Sequence, residues 1–160
     1  MQELVLRVGR AAGFVGSFEL PTRPPEPWRS ADVGLQDDVG KRLVLAECWN
    51  TFGDIGAAAR STNRIRAELE SLTVARWGTD GQIGVAWIVR ATARNRTLIG
   101  RYPAVFASRF PGSSRAWVEA LTGRLPLPAE PGLVWGDVGA TRLFEWRRPD
   151  PGQETSIGTS

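Results

Sequence analysis

Histidine is absent from these 160 residues, and cysteine, methionine, tyrosine and lysine each occur once. With no imidazole and only Cys48, the usual zinc sites and the Ser-His and Cys-His triads cannot be assembled. A disulfide within one chain is excluded for the same reason. No apolar run approaches the roughly 18 residues that a membrane span needs. The first residues also lack the apolar stretch of a signal peptide, so a reducing cytoplasm and no membrane partner are expected. What the chain does have is 42% apolar residues, enough at this length for one core that needs no cross-links.

The 20 basic side chains outnumber the 17 acidic ones, and all but Lys41 are arginines. A coding bias toward Gly, Ala, Arg and Pro accounts for that total. The distribution is more informative. Residues 86–124 hold Arg90, Arg94, Arg96, Arg101, Arg109, Arg115 and Arg124 against Glu119 alone, whereas the flanking segments are close to neutral. Guanidinium groups suit phosphate oxygens, so this stretch is a candidate nucleic-acid contact through Arg90, Arg94, Arg96 and Arg101. A solvated arginine face is the plainer alternative.

Along the chain, Leu4, Val5, Val8 and Ala12 form one helical stripe over residues 2–12, which Gly13 can end. Phe14 to Leu20 reads as a strand, and the Pro-rich residues 21–27 as an exposed loop. Residues 31–36 and 42–49 read as two strands about the turn Asp37-Asp38-Val39-Gly40. Asp54 is a helix N-cap, after which Ile55, Ala58, Ala59, Thr62, Ile65, Leu69 and Leu72 predict an amphipathic helix of about five turns. Its polar side presents Arg60 and Arg64, with Glu68 placed to pair with Arg64. The apolar run Ile83 to Val89 is a strand buried on both faces. Thr92 caps a helix to about Tyr102, 104–109 reads as a short strand, and Ser113 or Ser114 caps a helix over 115–122. Residues 133–138 and 142–146 form a last pair of strands, and 149–160 a disordered tail. The expected order is α-β-β-β-α-β-α-β-α-β-β: one α/β domain over residues 1–148 with a mixed central sheet. Most of the seven Trp are expected in packing rather than at a ligand.

The hairpin is the segment with chemistry in it. Pairing about a turn centred between Val39 and Gly40 sets Asp32 opposite Glu47. Directly opposed residues point to the same face, about 5 Å apart at Cβ. Two carboxylates so placed repel one another unless a cation lies between them, and hard oxygen ligands suit Mg²⁺. The other candidate motifs fail. Gly34 to Arg42 lacks the spacing and the Ser or Thr of a P-loop, and Gly9 to Gly13 is a helix end. Cys48 reads as a small buried residue. The Phe110 to Ser114 corner reads as a turn and helix cap that can also face a phosphate.

Ser30-Ala31-Asp32 followed by Leu43-Val44-Leu45-Ala46-Glu47-Cys48-Trp49 resembles the motif of the PD-(D/E)XK nuclease-like superfamily, whose fold is also called restriction-endonuclease-like. There an Asp begins one strand of a hairpin, and the next strand carries Glu-x-Lys or Asp-x-Lys. The core order α-β-β-β-α-β matches residues 2–91. The chain is most similar to nuclease-like domains often joined to helix-turn-helix modules, and the likeness extends over about residues 2–122. The resemblance implies a restriction-endonuclease-like sandwich, here with an added C-terminal strand pair. It implies that Asp32 and Glu47 hold Mg²⁺, with the Cys48 carbonyl as backbone ligand and Glu3 as an additional acid.

The departure is Trp49, which stands where the family has its catalytic lysine; an indole cannot stabilise a developing oxyanion as an ammonium does. Arg60 or Arg64, from the next helix, are the candidates to supply that charge. Three functions follow as expectations: a Mg-dependent endonuclease acting on DNA, a DNA-binding or regulatory relative without hydrolysis, and a protein-interaction domain that forms a homodimer.

Overall fold

The computed structural model describes residues 1–21, 30–123 and 125–148. In order they form α1 (Gln2–Ala11), β1 (Val15–Pro21), β2 (Ser30–Asp37), β3 (Arg42–Trp49), α2 (Ile55–Trp77), β4 (Gln82–Arg90), α3 (Ala93–Arg101), α4 (Pro103–Arg109), α5 (Ser114–Leu121), β5 (Gly132–Gly136) and β6 (Leu143–Glu145), with a single 3-10 turn before β4. The six strands lie in one open mixed sheet in sequence order. β1, β2 and β3 form an antiparallel meander, β3, β4 and β5 run parallel, and β6 returns antiparallel on β5.

β4 is the centre of this arrangement because both its edges are paired and both its faces are covered. Its alternate side chains divide by the two-residue period of a strand. Ala86 and Ile88 pack with Val5 and Leu6 of α1 and Trp117 and Leu121 of α5. Val85, Trp87 and Val89 turn the other way, toward α2, α3 and α4, through Leu69, Ile65, Ala58, Ile99 and Phe106. The molecule is therefore a helix–sheet–helix sandwich, as the continuous apolar run of β4 predicts. No helix among the described residues is long and apolar enough to cross a membrane.

Local signals act as expected at most element ends. Asp54 Oδ1 accepts the Ala57 N–H at 2.9 Å, Thr92 Oγ1 that of Asn95 at 3.2 Å, and Ser113 Oγ that of Ala116 at 3.2 Å. The hairpin turn is held by its own acids: Asp37 accepts the Gly40 N–H at 2.9 Å and pairs with Arg42 at 2.6 Å, and Asp38 pairs with Arg76 of α2 at 2.9 Å. Asp37 and Asp38 are turn residues.

Several expectations change. Residues 104–109 are helical, not a strand: Pro103 stands at the first turn of α4, where its missing N–H and fixed φ cost nothing, so it starts a helix as well as stopping one. α2 extends to 23 residues, and Leu72 is 38% exposed while Thr73 takes the buried place. Thr73 manages this by donating its hydroxyl to the Leu69 carbonyl at 2.8 Å. Arg66 and Glu70 form an i,i+4 pair on α2 at 3.1 Å, and Arg64 donates to Ser61 Oγ at 3.5 Å. Cys48 is half-buried rather than enclosed. The Pro-rich loop beyond Pro21, Trp28, Arg124 and the tail from Pro149 lie outside the described residues.

Trp117 lies flat on the sheet over Gly84 and Gly132, and its indole N–H donates to the Glu130 carbonyl at 2.9 Å. A Cβ at Gly132 would overlap the indole ring. Gly132→Ala is expected to cost roughly 1–3 kcal/mol through overpacking, read as a lower urea midpoint with an unchanged slope.

Candidate functional site

The β2–β3 register is the one expected for the hairpin, with Gln36 opposite Leu43, Leu35 opposite Val44 and Val33 opposite Ala46. It ends at Val33–Ala46, one step short of Asp32 and Glu47. On the other side, β1 pairs with β2 at Phe18–Val33 and again at Leu20–Ala31, stepping over Asp32, where Glu19 takes a positive φ of 47°. The ladder thus opens on both sides of Asp32. A strand N–H left without a ladder partner needs another acceptor. The Asp32 carboxylate provides it, taking the Cys48 N–H on Oδ2 at 2.8 Å.

Glu47 shares a face of β3 with Leu45 and Trp49, on the side that α2 covers. It is only 8% exposed, and its Oε1 has no hydrogen-bond partner. Burial, reinforced by the negative charge of Asp32, pushes its carboxyl up to about 7. Both effects disfavour the same charged form. The two acids therefore lie near enough for the Asp32 charge to act on Glu47, one anchored to the backbone and one buried with an unpaired oxygen. Burial likewise pushes the Cys48 thiol up, which makes it a poor nucleophile at neutral pH.

Trp49 is half-buried in an aromatic cluster, with centroids 5.0 Å from Trp87 and 5.6 Å from Phe52. Its Nε1 also lacks a partner. Among the described residues four buried side-chain polar atoms are unpaired: Glu47 Oε1, Trp49 Nε1, Arg90 Nε and Asn95 Oδ1. Native interiors leave few such groups, and these four all belong to the carboxyl ends of β3 and β4 and the first turn of α3. Asn95 is fully buried there, donating from Nδ2 to the Asn50 carbonyl at 2.9 Å and to the Arg90 carbonyl at 2.8 Å. It ties the exits of the two parallel strands together. In an open α/β sheet that edge is where ligands are usually received.

A cavity of about 500 Å³ opens beside the same edge, between the start of α1 and the turn after β5. Glu3, Cys48 and Asn50 line it, with Gly139 and Ala140 opposite. Glu3 is exposed on α1, so it shares this cavity with Cys48 but not the α2-side face that carries Glu47. No group of three or more His, Cys, Asp or Glu among the described residues is arranged to hold an ion. Any ion would rest on Asp32 and Glu47, with the Cys48 carbonyl nearby and solvent or substrate oxygens completing its shell. The donor set fits a hard cation in kind: two carboxylates that repel each other, one with an unsatisfied oxygen.

The arginines divide. Arg60 is exposed on the first turns of α2, where its charge helps to lower the Asp54 carboxyl, and Arg64 is exposed one turn on. The charge acting on Glu47 is that of Asp32. Arg90 points its Nε into the protein, Arg94 and Arg101 are exposed on α3, and Arg96 lies over Trp135 at 5.5 Å. The Phe110–Ser114 corner is closed by Arg148, which donates to the Phe110 carbonyl at 2.6 Å and the Gly112 carbonyl at 2.8 Å.

Asn50 and Asn95 are the residues that the sequence pattern did not single out. The available signal was Asn95 itself, a poor helix former in the first turn after a Thr cap. Comparison of the chain with protein-family models, curated proteins and solved structures finds no match to any of them.

The Glu47 carboxyl has a pH signature. Its folded value, about 7, lies above the ordinary 4.5, so the folded state binds the extra proton between the two. The contribution of this group to stability is then largest below about pH 4.5 and declines as pH rises through 7, by up to about 3 kcal/mol. Glu47→Gln is expected to remove that decline and to be more stable than the parent at pH 8. Urea midpoints at pH 5 and pH 8 check this; parallel declines in both proteins would assign the titration elsewhere.

Proposed function

We propose that the chain is a nucleic-acid-associated domain of the PD-(D/E)XK nuclease-like type, in which Asp32 and Glu47 hold a divalent cation against a phosphodiester. The observation that carries this reading is the meeting of the two acids at the point where the strand ladder opens, with Glu47 Oε1 buried and unpaired. The order α1-β1-β2-β3-α2-β4, with β3 and β4 parallel, agrees with the core that the resemblance implies. The clustering of unpaired polar atoms at the carboxyl ends of β3 and β4 supports a ligand at that edge.

Each residue has a task in this reading. Asp32 is oriented by the Cys48 N–H, which fixes one carboxylate oxygen in place. Glu47 is protonated in a fraction of molecules near neutrality, and a bound cation would favour its ionised form. A divalent ion so held supplies charge stabilisation to a phosphate oxygen and lowers the pKa of a bound water. Trp49 contributes packing against Trp87 and Phe52 in the place where an ammonium would stabilise the pentacovalent phosphorus. That packing favours a second reading, a relative that binds DNA and has lost hydrolysis.

Two measurements test the proposal. At pH 8, Mg²⁺ or Mn²⁺ in the millimolar range is expected to raise the melting temperature of the parent protein, and to leave that of Asp32→Asn and Glu47→Gln unchanged. An identical response in all three proteins would dismiss these acids as the site. With plasmid DNA, metal-dependent nicking that both substitutions abolish marks an endonuclease. Salt-dependent DNA binding without nicking marks the non-hydrolytic relative, and neither binding nor nicking would overturn the nucleic-acid association.

A further inference from the structure

On the α3 side of the sheet a second concavity, about 640 Å³, opens between α3 and the β5–β6 pair. Its floor is the partly exposed Phe144, with Trp135 and Trp146 buried beneath at 5% and 7% exposure, and its walls carry Arg96, Arg142 and Arg147 against Glu145 alone. Arg96 lies 5.5 Å from the Trp135 centroid and 5.8 Å from that of Phe144; Arg142 lies 5.6 Å from Phe144. Arg96 is held in that pose by donating from Nε to the Ala91 carbonyl at 3.2 Å. A guanidinium held near aromatic rings is partly ordered and weakly hydrated, which lowers the cost of receiving an anion. Arg147 pairs with Glu145 at 2.9 Å, but its side chain is 87% exposed, so that pair is weak and exchangeable.

We infer that this groove binds unpaired nucleotides of a single-stranded nucleic acid. Phosphates would lie on Arg142 and Arg147, and bases against the Arg96–Phe144–Trp135 stack. Two features select this ligand. The excess of guanidinium over carboxylate selects an anion. A concave aromatic floor admits bases that are free to stack, whereas a duplex keeps its bases stacked on one another and offers only phosphates to the rim. The inference rests on the nucleic-acid association proposed above and is independent of the acid pair.

The test uses the whole chain with fluorescein-labelled (dT)20, (rU)20 and a 20-base-pair duplex, read by anisotropy across a salt series and by quenching of intrinsic Trp fluorescence. Tighter binding of a single strand than of duplex is expected, with quenching on binding; the dT and rU arms distinguish DNA from RNA as the source. Arg142→Gln with Arg147→Gln is expected to weaken single-strand binding at least tenfold and to flatten the log–log salt slope by roughly 1.4, as for two lost phosphate contacts.

Gly100→Leu provides a second variant that changes no charge. A Cβ at Gly100 meets open space, so the substitution leaves the packing alone while the side chain narrows the groove. It is expected to weaken single-strand binding with the melting temperature preserved. Unchanged binding in both variants, or equal affinity for duplex and single strand, would overturn the inference. A protein that keeps its Asp32- and Glu47-dependent Mg²⁺ response while ignoring the single strands would refute the groove and spare the acid site.

Discussion

β4 lies between β3 and β5 with both edges hydrogen-bonded in parallel and both faces buried, and nearly everything else is arranged to make that possible. A parallel neighbour cannot be reached by a tight turn, so α2 must carry the chain back from the end of β3 to the start of β4, and α3 to α5 must do the same before β5. Those crossover helices, together with α1, cover the sheet. The result also brings the carboxyl ends of β3, β4 and β5 to one edge of the sheet. At this edge the backbone leaves regular structure and its polar groups need other partners. Asn95 supplies two of them by joining the Asn50 and Arg90 carbonyls.

The acids occupy the place where the opposite arrangement, the antiparallel hairpin, gives way. Asp32 compensates for a missing ladder bond by accepting the Cys48 N–H, which fixes its carboxylate beside Glu47. A buried carboxyl near another negative charge is a destabilising element, and folded proteins retain such elements mainly at functional sites. The α2-side apolar packing that shields Glu47 therefore raises its carboxyl as well as building the core. Trp49, on the same strand face, packs beside Trp87.

The two concave regions of this edge differ in character. The α1 side offers Glu3, Cys48 and Asn50, and the α3 side offers arginines beside aromatic rings. Both are products of chain crossing rather than of any one segment. Arg96 and Phe144 are far apart in sequence, and only the return of β6 beside β5 makes them neighbours.

Much was legible from residue order. The period-two and period-3.6 patterns located the elements, the Asp54, Thr92 and Ser113 caps located helix starts, and the Asp37–Gly40 turn dictated a hairpin register that the strands adopt. These succeed because caps, turns and periodicity depend on neighbours a few residues away. Pro103 misled because the same ring ends one helix and begins another. The burial of Glu47, the opening of the ladder at Asp32, the clamp made by Asn95 and the stacking of Arg96 were decided by tertiary structure. Each depends on segments dozens of residues apart, and desolvation and charge proximity are properties of the packed space that no local pattern encodes.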